Sequence, residues 1–530
     1  MTASVQPTPL WGPLRIGVFR ALWLAVLVSN VGLWMQTVGA QWLLVRQPHA
    51  AVLVALVQTA DMLPDVLFGV VGGVLADTLD RRRLLIAVQA FMVTTGVLLT
   101  VLTVVGQMPP ALLLTFTFLL GSGSVLSLPA YQSLVPQLVP RSQLAAAATL
   151  SSVSVNLARA VGPAVAGILI ARLGVSAVFA LNAAAFLVYG VVVVFWHPPA
   201  RTRSARPERF VPALRAGGRY VRYSPVMRRL LLRAALFLVP GSALWALLPL
   251  VATQSLGQGA GGYGLLLAAL GVGAVAGSFA LPYLRSWLTI NLLTAGASIV
   301  YAATLAIVVL VGNVAVAVLA LLPAGVAWIA VLSSMNASLQ LFLPEWVRAR
   351  GLSVYLTVLF GSQAFGAVMW GAIAVPLGLK ATFVVAALVM LIGVATFRVW
   401  RLIDTNDSDR SPAVFWLAPQ LAVQTAPDDG PVVVRTVYTI APDREEPFLR
   451  AMARARLSRL RTGATQWGLF RDGEIPHQFV ELFVVASWEE HSRQHTDRFT
   501  SDDQAIDDEV KGLSDPPAET SHLISAEVDE

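Results

Sequence analysis

Cysteine is absent from this 530-residue chain, and only 13% of the residues are charged. Without cysteine the chain forms no disulfide framework and no thiolate metal site. A soluble domain usually carries about 25% charged residues, so the composition argues against a wholly soluble protein. All but two of the 37 basic residues are arginine, and no basic face comes with an element that reads bases. We therefore expect no nucleic-acid partner.

Long apolar runs take the place of charge, and the mean hydropathy is +0.70. Runs of about 18 or more apolar residues are candidate membrane helices. The first run is too long for a cleavable signal peptide, so we expect it to remain as a helix. The sequence predicts an all-α polytopic membrane protein with twelve transmembrane spans, approximately 20–45, 51–76, 84–106, 109–137, 143–172, 175–197, 230–254, 261–283, 288–311, 314–342, 349–376 and 379–401.

The basic residues alternate between loops in a way that predicts orientation. Loops on one side hold most of the arginines, whereas the opposite loops hold only Arg46, Arg172 and Lys380. Loops rich in arginine favour the cytoplasmic side of a membrane. We therefore expect both termini in the cytoplasm. The strong preference for arginine over lysine is typical of a GC-rich bacterial genome, which predicts a bacterial inner (plasma) membrane.

The two halves of the membrane region resemble each other. Gln132 precedes Pro136 at the end of the fourth span, and Gln340 precedes Pro344 at the end of the tenth, 208 residues later. This spacing predicts two parallel six-helix repeats, 14–197 and 230–402, joined by a basic cytoplasmic loop, 198–229.

The character of the chain changes after the last span. Residues 403–430 are polar and contain proline, which is typical of a linker. Residues 431–530 follow the order β-α-β-β-α-β, which predicts a small soluble α+β domain with a ferredoxin-like fold. His491 and His495 stand four residues apart on its second helix. Without an evident third ligand, a solvated helix face is a better interpretation than a zinc site, so we predict no metal and no cofactor.

The segment GGVLADTLDRRRLL joins the second and third spans. Its residues Gly73, Asp77, Arg81 and Arg82 resemble the signature of the major facilitator superfamily at this loop. The resemblance implies a cytoplasmic gate, in which Asp77 meets the start of the eleventh span when the inside is closed. Thr78 and Asp80 depart from the signature. The plain alternative is a positive-inside turn with no further role.

The fifth span contains NLARAVGPAVAG. Its residues Gly162, Pro163 and Gly167 resemble a motif associated with antiporters of the same superfamily. Small residues let helices approach closely, and proline bends a helix by removing a backbone donor. An ordinary packing face of small residues is the alternative interpretation.

Several longer segments resemble one branch of the superfamily, the transmembrane secretion effector group with its enterobactin-exporter-like members. These segments are SNVGLWMQTVGAQWLL, LVPQLVPRSQLAAAATL, NLARAVGP, LPEWVRARGL and TQWGLFRD. The resemblance implies export driven by the proton gradient, without identifying the cargo. The last domain resembles the dimeric α+β barrels of antibiotic-biosynthesis monooxygenases, and we expect it to have a regulatory or dimerising role.

Three charged residues lie at a depth where lipid is expected. Counting 1.5 Å per residue from the outer helix ends places Asp61 about 14 Å deep, and Asp65 and Arg159 about 20 Å deep. An ionised side chain at this depth needs a partner or water. We therefore expect Arg159 either to pair with Asp65 or Asp61, or to bind an anionic group on cargo. A proton that binds the acid would release the arginine from such a pair. A buried pair that only fixes packing is the alternative.

Polar residues of span one are weaker candidates to line a central cavity: Asn30, Trp34, Gln36 and Gln41, with Trp245, Trp328, Asn336 and Gln363 from the second half. The sequence predicts a transporter rather than an enzyme, namely a proton-coupled exporter of amphipathic small molecules such as siderophores or drugs. The alternative is a membrane-tethered enzyme or sensor whose last domain is the active part. No catalytic residues are predicted.

Overall fold

The computed structural model describes residues 11–196, 210–403 and 421–526. The side chains of residues 70, 73, 74, 76–78 and 210–216 lie outside that description, as do most of the predicted linker and the first part of the basic loop. Within the described ranges, eleven helices are long and apolar enough to cross a membrane.

The first six of these helices precede the basic loop: α1 (Gly17–Leu44), α2 (Ala50–Thr78), α3 (Arg81–Val104), α4 (Pro110–Leu138), α5 (Leu144–Leu173) and α6 (Val175–Phe195). A shorter, amphipathic helix follows, α7 (Phe210–Tyr223). The remaining long helices are α8 (Pro225–Leu250), α9 (Ala260–Trp287), α10 (Ile290–Leu310), α11 (Val314–Phe342) and α12 (Glu345–Ala395).

Predicted span eleven and most of predicted span twelve lie in the single 51-residue helix α12, which ends at Ala395, six residues before the predicted end. Gly378 interrupts it with φ 75° and ψ 165°, a conformation that is unfavourable for residues with a Cβ. Gly174 has φ 83° and performs the same task between α5 and α6. Glycine at these two positions therefore allows one helix to follow another with almost no loop.

The chain divides into two compact units, and the first comprises the membrane helices apart from the segments given below. In its N-terminal half, helices α1, α3, α4 and α6 share a core that includes Leu22, Leu85, Leu134 and Tyr189. Helix α5 packs along α9, so the two halves of the membrane region contact each other inside this unit.

The second unit combines residues 204–231, residues 336–355 and the C-terminal domain from residue 402 onward. The domain contains β1 (Val432–Thr439), α13 (Glu445–Thr462), β2 (Gln466–Arg471), β3 (Gln478–Val485), α14 (Trp488–Arg493), α15 (Ser501–Gly512) and β4 (Glu519–Ile524). Its antiparallel sheet has the order β2-β3-β1-β4.

Alternation along the strands separates the two faces of this sheet. Tyr438 on β1 and Phe479 on β3 point inward and form a core with Phe448 and Met452 of α13. Arg435 is exposed on the other face, as period-two alternation requires. One face of the sheet is therefore covered by helices within this domain.

Candidate functional site

A cationic and aromatic cluster lies where helices of the two halves meet. The guanidinium carbon of Arg159 on α5 is 5.7 Å from the ring centroid of Trp34 on α1. The Trp34 ring in turn lies 5.8 Å from that of Trp245 on α8. Beyond it, Trp328 is 5.4 Å from Trp245, so aromatic contacts continue into the second half.

Arg159 has unused hydrogen-bonding capacity in this cluster. Its Nε and Nη1 atoms are buried and make no hydrogen bond to any described residue. A buried guanidinium without partners is costly in a membrane protein, and five donors in a planar fork match carboxylate or phosphate oxygens. The arrangement is chemically suited to bind an anionic group while Trp34 contacts an aromatic or apolar part of the same molecule.

Asp61 and Asp65 are partly buried on α2, one helical turn apart. The Asp61 carboxyl lies beside the hydroxyl of Thr37 on α1. Among the described side chains, no ion pair joins either acid to Arg159. The structure thus does not pair Arg159 with Asp61 or Asp65. The guanidinium lies beside the Trp34 ring instead.

The antiporter-like motif has a packing explanation. A Cβ at Gly162 would lie 2.6 Å from the Cβ of Trp34, so only glycine lets α1 bring this tryptophan against α5. Likewise, a Cβ at Gly167 would lie 2.8 Å from the carbonyl oxygen of Ala260 and 2.9 Å from the Cα of Gly264. Pro163 contributes through its carbonyl oxygen, which lies 2.8 Å from where a Cβ at Gly264 would be. The motif therefore shapes both the site and the contact between halves.

Two other span-one candidates lie within the N-terminal half. Asn30 lines a small crevice of about 60 Å³ between α1, α3, α4 and α6. Gln36 is buried and accepts a long 3.5 Å hydrogen bond from Asn182 on α6. The structure therefore separates these two residues from Trp34, which faces the other half. Helical periodicity alone did not indicate which polar residues of α1 face the other half and which face the interior of their own half.

Sequence reasoning missed Tyr263 on α9. Its hydroxyl donates to Gln41 Oε1 at 2.5 Å, and Gln41 Nε2 donates to the carbonyl oxygen of Trp245 at 3.2 Å. Gln41 was a weak candidate, and a lone tyrosine in an apolar helix gave no signal of its own. These bonds join α1, α8 and α9 across the two halves.

An open cavity of about 460 Å³ lies at one end of these helices. Polar and basic side chains of its wall include Arg46, Gln47, His49 and Gln254. The wall draws on the ends of α1, α2, α8 and α12, so both halves contribute to this cavity.

The predicted gate segment is described only in part. Gly73 and the side chain of Asp77 lie outside the described residues, so their predicted contact is untested. Arg81 Nη1 donates to the carbonyl oxygen of Ser133 on α4 at 2.8 Å. Arg82 donates to Val193 at 3.3 Å and to Val194 at 2.5 Å at the end of α6. Both arginines therefore hold carbonyls of neighbouring helices in the same half.

Asp80 has a local role that explains one departure from the superfamily signature. Its Oδ1 accepts a hydrogen bond from the backbone N–H of Arg83 at 2.8 Å, which caps the first turn of α3. A carboxylate at this position satisfies an otherwise unpaired donor and favours the start of the helix.

The interpretation of His491 and His495 as a solvated helix face is wrong for His491, which is fully buried. Its ring packs 5.0 Å from His522 on β4 and 5.4 Å from Trp488, because the short helix α14 lies against the sheet edge. Burial, reinforced by His522, lowers the pKa of His491 to about 4. No group of three or more His, Asp or Glu residues in the described part of the chain is arranged to hold a metal ion.

The sequence matches the family described as transmembrane secretion effector over residues 8–529. The chain belongs to this family. Its match therefore includes the C-terminal domain as well as the membrane helices.

Individual members of known function align over part of the chain. The staphyloferrin A transporter of Staphylococcus aureus is 22% identical over 48% of this chain and 64% of its own length. Macrolide efflux protein A of Streptococcus pyogenes is 24% identical over 44% and 58%. An enterobactin exporter of Shigella boydii is 29% identical over 49% and 62%. The chain thus spans less than two thirds of these curated relatives.

Solved transporter structures share the fold of this secretion effector. A bacterial homologue of the human lysosomal transporter Spinster, in an inward-facing conformation, superposes with a TM-score of 0.57 at 16% identity, covering 73% of this chain and 96% of that one. A POT family transporter bound to 5-aminolevulinic acid gives a TM-score of 0.59 at 14% identity, covering 75% and 99%. At these identities the likeness concerns the fold alone.

Proposed function

We propose that this chain is a secondary active transporter that exports amphipathic small molecules by alternating access. The observation that carries the proposal is Arg159, whose buried Nε and Nη1 lack partners beside Trp34 at the contact between the two halves. A cation and a row of aromatic rings suit a molecule with both anionic and apolar parts. The relatives named for staphyloferrin A, macrolides and enterobactin support export of siderophores or drugs.

We further propose proton antiport as the source of energy. Asp61 and Asp65 lie one turn apart on α2, and no described cation pairs with them. Two neighbouring carboxylates in a low-dielectric region are poorly tolerated when both are ionised, which favours binding of a proton between them. Cargo would bind at Arg159 while the proton binds on α2, so the two events would occur at separate groups.

The proposed topology has twelve spans in two halves, with both termini in the cytoplasm of a bacterial cell. Gly378 supports the count, because its non-helical backbone divides the 51 residues of α12 into two segments of spanning length. The arginine-rich loops support the orientation. The gate at Gly73, Asp77, Arg81 and Arg82 remains part of this proposal.

The C-terminal domain is proposed to have a ferredoxin-like fold and to dimerise. The sheet face away from α13 carries Val433, Val437, Val480 and Leu482, with Phe470 54% exposed beside them. No described element of this unit covers that face. A second copy of the same domain would bury these side chains, and we do not favour an enzymatic role for it.

A transport assay with purified protein in proteoliposomes tests the function. With iron-free enterobactin as the probe and an imposed pH gradient, we expect Arg159→Gln to lower the initial rate about tenfold, because a charge-assisted hydrogen bond to cargo is lost. Arg172→Gln, at the outer end of the same helix, is the matched control and should retain the wild-type rate.

The coupling proposal has a separate readout in the same vesicles. The double variant Asp61→Asn and Asp65→Asn should abolish the proton movement that is coupled to cargo transport. It should also remove the dependence of the transport rate on pH. Unchanged pH dependence in the double variant would exclude these acids as the coupling site while leaving transport itself intact.

A further inference from the structure

Helix α7 belongs to the basic loop that connects the two halves of the membrane region, yet it packs against α13 of the C-terminal domain. Tyr223, at its last position, contacts the core cluster that contains Val434, Leu460 and Phe483. Tyr220, one turn earlier, is 2% exposed. The C-terminal domain is thus docked onto the loop by buried aromatic side chains.

The same unit contains the turn between α11 and α12, where Trp346 is held from two sides. The Tyr220 ring of α7 meets it edge-on with centroids 5.7 Å apart. The guanidinium carbon of Arg498, from the C-terminal domain, lies 5.2 Å from its ring centroid. Trp346 is therefore a point where the loop helix, the domain and a membrane helix all meet.

Arg498 is fixed in this position by its own partners. Its Nη1 and Nη2 donate to the two carboxylate oxygens of Glu490 at 2.8 and 3.0 Å, and Nη1 also donates to the carbonyl oxygen of Thr462 at 3.0 Å. Glu490 lies 3.8 Å from Arg219 Nη2 on α7. One carboxylate thus connects the residue that covers Trp346 with the loop helix.

Helix α7 also approaches the first turns of α12 closely. A Cβ at Gly217 would lie 2.8 Å from the Cβ of Arg350. Glycine is required at this point for the two helices to be in contact. The docking therefore rests on aromatic, ionic and close backbone contacts together.

Helix α12 carries this region into the membrane part of the chain without a break before Gly378. Farther along the same helix, the carbonyl oxygen of Ala364 accepts a hydrogen bond from Thr59 of α2 at 3.1 Å. A Cβ at Gly371 would lie 2.9 Å from the carbonyl oxygen of Ala51, also on α2. A restraint at the first turn of α12 therefore acts on a helix that bridges the two halves.

We infer that the C-terminal domain is a clamp that pins α7 to the α11–α12 turn through Trp346 and so slows the rearrangement of the transporter. This inference rests on the transport function proposed above. In alternating access one half rocks against the other, and their connecting loop and α12 must accommodate the motion. Contacts that form in a single conformational state stabilise that state relative to the others. Releasing Trp346 therefore lowers the free-energy barrier to leaving it.

Hydrogen exchange of the full-length chain in lipid nanodiscs tests the docking. Arg498→Gln and Trp346→Ala should each raise exchange in residues 342–352 and 217–223 by about threefold or more, since each removes the cation–π contact. Trp346→Phe should restore most of the protection. Arg450→Gln removes an exposed pair with Glu446 elsewhere in the domain and is the matched control.

Transport in proteoliposomes tests the restraint. Arg498→Gln should raise the initial rate about threefold at unchanged KM, and Arg450→Gln should leave it at the wild-type value. Gly217→Leu separates α7 from α12 without altering the C-terminal domain, and it should reproduce the effect even where Arg498→Gln unfolds the domain. Exchange of β1 and β3 reports that unfolding.

Two results overturn the clamp: unchanged exchange at residues 342–352 in both variants, or transport rates that do not rise when that exchange does. Failure of the wild-type protein to move any probe would contradict the proposed function instead. The exchange measurement would still decide whether the domain is docked on Trp346.

Discussion

At the scale of single residues, two buried arginines show how this chain uses charge. In the C-terminal domain, Arg459 contacts Glu481 and Asp507, and Lys511 also pairs with Asp507, so two cations balance two acids. In the membrane part, Arg159 has Trp34 beside it and buried nitrogens without hydrogen bonds. Removing one partner from a buried ion pair is strongly destabilising, so the first arrangement is suited to stability. The second is suited to a ligand.

Two histidines predict how the C-terminal domain responds to pH. Burial lowers the pKa of His491 to about 4, and burial together with the nearby His491 lowers that of His495 to about 3. The unfolded chain, with an ordinary histidine pKa near 6.5, therefore binds more protons below that pH. Each of the two histidines should therefore reduce the stability of the domain by about 2–3 kcal/mol as pH falls from 6.5 to 4.

Hydrogen exchange of the full chain between pH 7 and 4, corrected for intrinsic rates, measures this loss in β1 and β3. His491→Leu should reduce the pH dependence, because a group that charges only in the unfolded state has been removed. His477→Asn alters an exposed histidine and serves as the control. An identical pH profile in His491→Leu and wild type would contradict the assignment.

At the scale of helices, the contact of α5 with α9 depends on small residues rather than on polar bonds. Gly167 and Gly264 bring the two backbones together, and a Cβ at Gly271 would lie 2.6 Å from the Cα of Ala160. Helices in lipid associate by close packing because the apolar surroundings provide no hydrophobic driving force. These contacts lie in the C-terminal half of α5 and the N-terminal half of α9, so they connect the two halves of the fold at that level.

Gly167→Val should therefore force α5 and α9 apart. The added Cβ would lie 2.8 Å from the Ala260 carbonyl oxygen, a backbone atom that cannot move away cheaply. We expect a separation of spin labels on the outer ends of these helices that grows by about 1–2 Å, with transport reduced at least about fivefold. Ile168→Val changes a neighbouring, exposed side chain and should leave both quantities unaltered.

At the scale of the whole molecule, the proposed dimer depends on the outer face of the sheet in the C-terminal domain. Val433 pairs with Val484 and Leu523 across neighbouring strands, and Val437 pairs with Val480. These side chains form two apolar rows, with exposed Arg435 between them, on a face that the described helices of the domain leave uncovered. Large exposed apolar patches on such domains usually mark interaction surfaces.

The dimer proposal predicts that Phe470→Glu combined with Leu523→Lys makes the detergent-solubilised chain monomeric. Each substitution places a charge in the proposed apolar interface, which is expected to weaken association at least about tenfold. Light scattering of the solubilised protein measures the mass. Arg454→Gln, which alters an exposed pair on the helical side, is the control. A monomeric wild type would refute the dimer.

Much of the architecture could be predicted from the amino-acid sequence. Hydropathy identified the membrane helices, because a bilayer demands about 20 apolar residues for each span whatever the neighbouring helices are. Local periodicity also predicted the four strands and α13 after Pro431, but it missed α15, because few residues of that helix are apolar. The partner of Arg159 could not be predicted. The depth of Arg159 in the membrane matched that of Asp65, but the direction of its side chain depends on how α1, α2 and α5 rotate against one another.

The sequence by itself determined the membrane class, the presence of a small C-terminal α+β domain, and the charged and small residues worth testing. These properties depend on composition and on residues close together in the chain. Only the tertiary structure decided that Arg159 faces Trp34, that Asn30 and Gln36 belong to the interior of one half, that His491 is buried, and that Trp346 lies between Tyr220 and Arg498. Each of these contacts joins elements tens to hundreds of residues apart, and side-chain direction across such distances is fixed by packing rather than by local pattern.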